Sequence, residues 1–208
     1  MRAMRERRHE NIPMKILGLT GGIGMGKSTA AAMLRRMGVD VFDADAEVHR
    51  LLGPGGLAVK RVAKEFPGVE KSGAIDRGAM AKIAFADRDA LKKLEAILHP
   101  LVRRQEKLFL KTRRARRAPI VVLDIPLLYE TGREKNCDAV AVIWAPRYLQ
   151  RARVLARPGM NAERLESILE QQLPIHHKRR RADFAVPSGL GRAATWRGLR
   201  RVLGRLRA

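Results

Sequence analysis

The sequence predicts a three-layer α/β fold in which a parallel central sheet lies between two sets of helices. Three observations carry that expectation. Apolar runs at 15–20, 39–42, 120–124 and 140–144 alternate with stretches of helical period, the rhythm of a parallel sheet covered on both faces. The first run opens directly into the glycine-rich turn Gly21-Gly22-Ile23-Gly24-Met25-Gly26, with a helical pattern after it. The run Ile120-Val121-Val122-Leu123-Asp124 is apolar throughout and closed by an acid, as in a buried strand that delivers a carboxylate to its C-terminal end. At 208 residues the chain suits one domain with a sizeable core.

In chain order, residues 1–13 read as a disordered extension, because Arg2, Arg5, Arg7 and Arg8 surround no apolar pattern; Met14, just before the first strand, is a candidate true start. Gly21 to Thr29 then satisfies Gly-x-x-x-x-Gly-Lys-Ser/Thr, the phosphate-loop pattern. A phosphate chain must be met by several backbone N–H groups at once, and side chains larger than glycine would block that approach. Lys27 can reach the terminal phosphates, the Ser28 hydroxyl can sit on Mg²⁺, and the following helix turns its positive end toward the anion. The helical pattern over 27–37 stops at Gly38, a good C-terminal cap.

The second strand ends in Asp43-Ala44-Asp45. Carboxylates facing a triphosphate either accept a proton from an attacking hydroxyl or help to hold metal. The next helix is expected to open near Ala46, so Asp45 also suits its N-cap. Turn clusters at Gly53-Pro54-Gly55-Gly56 and at 67–73 cut the middle into short helices. Leu91, Leu94, Leu98, Leu101 and Val102 keep helical spacing through His99-Pro100, where proline can restart a helix. Asp124 is a candidate for holding Mg²⁺ or its waters, although strands also end in Asp for turn chemistry. Residues 147–157 read as a helix with Leu149, Ala152, Leu155 and Ala156 on an apolar side and Gln150, Arg153 and Arg157 on the opposite stripe. That stripe is either a solvated face or a lid. Trp196, Leu199, Val202, Leu203 and Leu206 predict a last amphipathic helix docked on the core.

Composition narrows the use of the nucleotide. Lys plus Arg number 43 against 21 Asp plus Glu, a formal +22, so anionic partners are expected. Runs such as Arg113-Arg114-Ala115-Arg116-Arg117 and Lys178-Arg179-Arg180-Arg181 read as solvated faces or helix ends. Aromatic residues for base stacking are scarce at 4%, and no specific nucleic acid is expected. The single Cys137 excludes an internal disulfide, no apolar stretch reaches the roughly 18 residues of a membrane helix, and the basic opening lacks a signal-peptide core. A cytoplasmic location is the expectation. His176-His177 resembles a metal pair only superficially, since adjacent helical residues point about 100° apart.

The ordered set of motifs resembles the dephospho-CoA kinase family from Met14 to about Val186. The segments are Gly18 to Thr29, Asp43-Ala44-Asp45 with Arg50, His99-Pro100-Leu101-Val102, and Pro126-Leu127-Leu128-Tyr129-Glu130. Further on come Gln150 with Arg153 and Arg157, then Gln172-Leu173-Pro174 with Lys178 and Ala182-Asp183. The resemblance implies a P-loop NTPase, nucleotide-kinase-like fold with a core at 14–46, 105–146 and 182–208, a helical acceptor-binding insert at about 47–104 and a lid at about 147–181. It implies ATP and dephospho-CoA as substrates, with Mg²⁺, and phosphorylation of a ribose 3′-hydroxyl. The implied catalytic residues are Asp45, Lys27 and Arg157. ATP would be held by Gly22, Gly24, Met25, Gly26, Lys27, Ser28, Thr29, Arg153 and Arg157, the acceptor by Thr20, Asp45, Arg50 and His99, and Mg²⁺ by Ser28 and Asp124. Two departures stand out: Pro158 follows Arg157 where the family usually has an acid, and Pro187-Ser188-Gly189 stands where it usually has Asn-Gly. Two rivals are another small-molecule or nucleoside monophosphate kinase of the same fold, and a nucleic-acid-associated P-loop ATPase. A GTPase would need an Asn-Lys-x-Asp signature, which is missing.

Overall fold

The computed structural model describes residues 13–208, so all of the segment read as an extension except Pro13 lies outside the described residues. Strands β1 (Lys15–Gly21), β2 (Asp40–Asp43), β5 (Ile120–Asp124), β6 (Ala139–Trp144) and β7 (Phe184–Pro187) form one sheet in the order β2-β5-β1-β6-β7. Every pair in it is parallel. Because successive strand residues face opposite sides, the core divides in two. Ile16, Val121, Leu123, Val140 and Val142 pack toward α2 (Ala44–Leu52), α3 (Val59–Glu65), α4 (Arg77–Ala86) and α5 (Arg88–Ala115). Leu17, Leu19, Val122, Ala141 and Ile143 pack toward α1 (Lys27–Arg36) and α9 (Arg192–Arg207). The three predicted layers are therefore present. Near-continuous apolar strands are what a sheet buried on both faces requires.

Local boundaries differ where the chain has a choice of cap. Strand β2 runs one residue later than expected, and the cap of α2 is Asp43, whose carboxylate accepts the Ala46 N–H at 3.0 Å. Asp45 is thus the second residue of α2, its charge in the first turn where the helix dipole favours an anion. The second turn cluster holds a small hairpin, β3 (Glu70–Lys71) with β4 (Ala74–Ile75), that the sequence pattern did not announce. Helix α5 does not restart at Pro100 but continues through it for 28 residues, about 42 Å. A proline inside a helix costs about 3 kcal/mol. Burial of Leu98 and Val102 on either side offsets it, while Pro100 itself is exposed. The same helix crosses residue 104, so the acceptor side and the core share one rigid rod.

The helices after β6 are α6 (Arg147–Leu155), α7 (Ala162–Glu170) and α8 (Ile175–Arg181). The faces of α6 are reversed relative to expectation: Gln150 and Val154 are buried, while Ala152, Leu155 and Ala156 are exposed. The polar side turns inward because its partner is backbone. The run at 178–181 is likewise no solvated face throughout. Lys178 is fully buried, Arg179 lies 3.8 Å over the Trp144 ring, and Arg181 meets Glu134 at 2.7 Å. The rings of His176 and His177 sit 4.2 Å apart as a tilted pair.

Candidate active site

Strand β1 ends at Gly21, and the next five residues climb to the first turn of α1. Gly24 and Gly26 have φ of 72° and 86°, the left-handed region that glycine alone enters without strain. A side chain at Gly24 would also meet Val154 Cγ2 at 2.6 Å. Met25, between them, is buried, and its sulfur accepts the Ala145 N–H at 3.0 Å. Its side chain is therefore part of the core, and its N–H closes a turn on the Gly22 carbonyl at 3.2 Å, so Met25 shapes the loop from within. Ser28 and Thr29 are exposed at the opening of α1, with neither hydroxyl bonded among the described residues.

Register brings the acids together. Asp43 of β2 stands directly beside Asp124 of β5, and Leu19 of β1 stands on the other side of Asp124. Lys27 Nζ reaches Asp124 Oδ1 at 2.7 Å, and Asp124 is only 1% exposed. Burial pushes the Asp124 carboxyl up to about 6 despite the Lys27 ammonium, and the charges of Asp43 and Asp45 push the same way. Asp45 faces an open cavity, yet burial by the surrounding walls raises its carboxyl above the ordinary range; Lys27 opposes and Asp43 reinforces that shift. Lys27 thus stands in the field of both Asp45 and Asp124.

A stability prediction follows from Asp124. Its folded pKa of about 6 lies above the ordinary 3.8, so well below pH 3.8 the group is neutral in both folded and unfolded chains and contributes nothing. Between pH 3.8 and about 6 the unfolded chain ionises this carboxyl while the folded chain keeps it protonated, so roughly 3 kcal/mol of stability is lost across that window and stays lost above it, without ligand. In nucleotide-free denaturant titrations, Asp124→Asn is expected to gain stability over the parent between pH 4 and pH 7. A difference that stays flat with pH contradicts the assignment.

Around the loop, side chains from outside the core hold its backbone. Gln150 Nε2 donates to the Ile23 carbonyl at 2.8 Å, and the Ile23 N–H donates to Gln172 Oε1 at 3.1 Å. Arg153 donates to Ser188 Oγ at 3.1 Å and to the Ser188 carbonyl at 3.0 Å, while the Ser188 hydroxyl donates to the Met25 carbonyl at 2.6 Å. Ser188 was missed by the sequence reading; it ties the end of β7 to the loop in the segment that departs from the family pattern. Arg153, Arg157, Gly26, Thr29, Ser188 and Arg192 share a cavity of about 490 Å³ beside the loop.

A second cavity, about 640 Å³, opens beyond β2 and β5. Asp45 and His99 line it, as expected of acceptor residues, together with Val48, Arg103, Leu127 and Gln172. Two expected residues do not. Arg50 is exposed and forks onto Glu47 of its own helix at 2.6 and 3.0 Å. Thr20 is fully buried, with its hydroxyl donating to the Pro126 carbonyl at 2.8 Å. Thr20 therefore fixes the turn after β5 instead of facing the cavity. Arg103, missed by the sequence reading, lies one turn beyond His99 on α5 and has no carboxylate partner among the described residues, whereas Arg133 on the same wall is paired with Glu106. The His99-to-Arg103 spacing of four was the available signal.

A phosphate-binding turn alone is common to hydrolases and transferases alike. What selects between them is a second, separate cavity, walled by a carboxylate that feels the loop lysine. The chain is a phosphate-loop kinase. A family model for dephospho-CoA kinase matches residues 15–189. A dephospho-CoA kinase of Paramagnetospirillum magneticum is 61% identical over 166 residues, 80% of this chain and 78% of that protein. Among solved structures, a Thermus thermophilus protein superposes with a TM-score of 0.80 at 37% identity, covering 92% of this chain and 97% of that one. The dephospho-CoA kinase of Campylobacter jejuni superposes with a TM-score of 0.69 at 25% identity, covering 93% and 98%. The chain belongs to the dephospho-CoA kinase family.

Proposed function

We propose that this chain transfers the terminal phosphoryl group of ATP to the ribose 3′-hydroxyl of dephospho-CoA, giving coenzyme A and ADP. The observation that carries the reading is the placement of Asp45, on the wall of the 640 Å³ cavity and within the field of Lys27. The 490 Å³ cavity beside the loop takes the nucleoside end of ATP, with Arg153 and Arg157 over it. The backbone of 22–29 holds the phosphates. In this arrangement Asp45 orients the attacking hydroxyl and receives its proton, and its raised pKa suits that task. Lys27 and Arg157 meet the charge that spreads over the transferring oxygens. In domain terms, the acceptor region is 47–104, the lid 147–181 and the core 14–46, 105–146 and 182–208.

Mg²⁺ fits the donor set. Ser28 presents a free hydroxyl at the start of α1, Asp124 offers an acidic side chain at the end of β5, and no cluster of three or more His, Cys, Asp or Glu able to cage a metal occurs among the described residues. A cation that arrives on phosphate oxygens and keeps several waters needs little more. When bound, it would supply charge neutralisation between the phosphates. No helix among the described residues is long and apolar enough to cross a membrane; with the family's chemistry this supports a cytoplasmic place of work.

An ADP-release assay against dephospho-CoA and a panel of nucleoside monophosphates tests the reading. Turnover with dephospho-CoA is expected, and turnover confined to the panel overturns it. Arg103, which lines the acceptor cavity and has no carboxylate partner among the described residues, is the cation best placed for the diphosphate of the acceptor. Arg103→Ala should raise the KM for dephospho-CoA about ten- to a hundredfold, the worth of one charged hydrogen bond, and leave the KM for ATP near the parent value. An equal rise in both constants would remove Arg103 from the acceptor site.

A further inference from the structure

The two glutamines that grip Ile23 are not equivalent. Both line the groove beside Gly22 and Met25, but Gln172 alone of the two also lines the 640 Å³ acceptor cavity. Its Oε1 accepts the Ile23 N–H at 3.1 Å, and since a backbone N–H can only donate, the NH₂ is directed elsewhere whenever that bond is made. That NH₂ has no partner among the described residues. The turn that carries Gln172 is itself held firmly. The next residue, Leu173, donates its N–H to Glu130 at 2.8 Å, and Glu130 is paired at 2.7 Å with the fully buried Lys178. Lys178 also donates to the Pro126 carbonyl on the cavity wall at 3.3 Å. A lysine buried this deeply is costly to keep unless its geometry matters. Here it anchors the backbone turn that carries Gln172 between the two sites.

We propose that Gln172 is shared by the two substrate sites, its oxygen holding the phosphate loop through Ile23 while its NH₂ donates to an oxygen of the acceptor. The inference rests on the acceptor reading given above. Dephospho-CoA is rich in acceptor oxygens, on its diphosphate and ribose, and an NH₂ group on the cavity wall is a donor suited to them. Once the acceptor immobilises that carboxamide, the ordering of the Ile23 peptide no longer has to come from ATP binding alone. Each substrate then tightens the other by the same factor. Gln172 is a positioning residue toward ATP and a binding residue toward the acceptor.

Calorimetric titrations of a non-hydrolysable ATP analogue, with and without saturating dephospho-CoA, test the proposal. In the parent chain the acceptor should strengthen nucleotide affinity about fivefold or more. Gln172→Ala should bring that ratio to one. Gln172→Glu keeps an oxygen for Ile23 but loses the NH₂, so acceptor affinity should fall at least tenfold and the ratio should again be one; it also decides the matter if the alanine variant folds poorly. Gln150→Ala should weaken nucleotide binding equally with and without acceptor, so the ratio persists. A ratio that survives in Gln172→Ala and Gln172→Glu, or a ratio of one in a parent chain that binds both ligands, overturns the proposal. A parent chain that binds no dephospho-CoA at all instead overturns the acceptor reading, and the inference falls with it.

Discussion

Asp45→Asn is expected to lower kcat by about 10²–10⁴-fold, the usual worth of a positioned base, with ATP affinity within about threefold of the parent. The amide keeps the shape of the carboxylate in the first turn of α2, so the cavity wall is preserved. It cannot take a proton. The separation of effects is the point: Asp45 lines the acceptor cavity, not the cavity beside Gly26 and Arg153 that is assigned to the nucleoside of ATP. Steady-state rates with equilibrium binding of an ATP analogue measure both halves. The pH profile adds a check, since burial raises the Asp45 carboxyl and holds Asp124 near 6. The acid limb of kcat/KM should therefore lie above the ordinary carboxylate range and belong to the coupled group, not to one residue. A variant that turns over at the parent rate would remove Asp45 from the chemistry.

Lys27→Ala should be still more damaging, and in two ways. Loss of a preorganised cation at the transferring phosphoryl is expected to cost about 10³-fold in kcat/KM for ATP. The second effect is on the fold itself. Asp124, 1% exposed, loses the ammonium 2.7 Å away, and an ionised carboxylate left buried without a partner costs about 3–5 kcal/mol. With a pKa already near 6, Asp124 can protonate and escape part of that cost, so the instability of Lys27→Ala should grow from pH 6 to pH 8. The double variant Lys27→Ala, Asp124→Asn should recover stability while remaining inactive. Thermal unfolding across pH together with rate measurements separates the two; recovery of activity in the double variant would mean that Lys27 acts only through Asp124.

These outcomes draw on parts of the molecule that were unevenly legible. The phosphate loop, β1, α1 and the acid-ended β5 depend on contiguous residues, and the sequence pattern placed them closely because glycine at positive φ and an apolar run are local requirements. The three layers followed from the alternation alone. Caps were harder: Asp43 and Asp45 both suit the start of a helix, and only the pairing of Asp43 with Asp124 in the sheet decides which one caps. Which side of a helix faces a cavity was not legible either. Arg50 and Arg103 have the same chemistry, but Glu47 captures one while the placement of α5 exposes the other to the acceptor cavity. On α6 the polar stripe faces inward because the backbone of Ile23 and the Gly24 turn sits against it and takes its hydrogen bonds from Gln150 and Arg153, a demand that no periodicity carries. Lys178 looked like part of a surface charge run because its partner, Glu130, is far away in sequence.

The central claim is that Asp45 and the phosphate loop bracket one transfer, from ATP to a ribose hydroxyl held in the 640 Å³ cavity. Phosphorus and proton NMR of the reaction of dephospho-CoA with ATP reads this directly. A new monoester phosphate coupled to the ribose C3′ proton, formed one-for-one with ADP, is the predicted result. Consumption of ATP with release of free phosphate, or a phosphate attached anywhere other than the 3′ position, would contradict it.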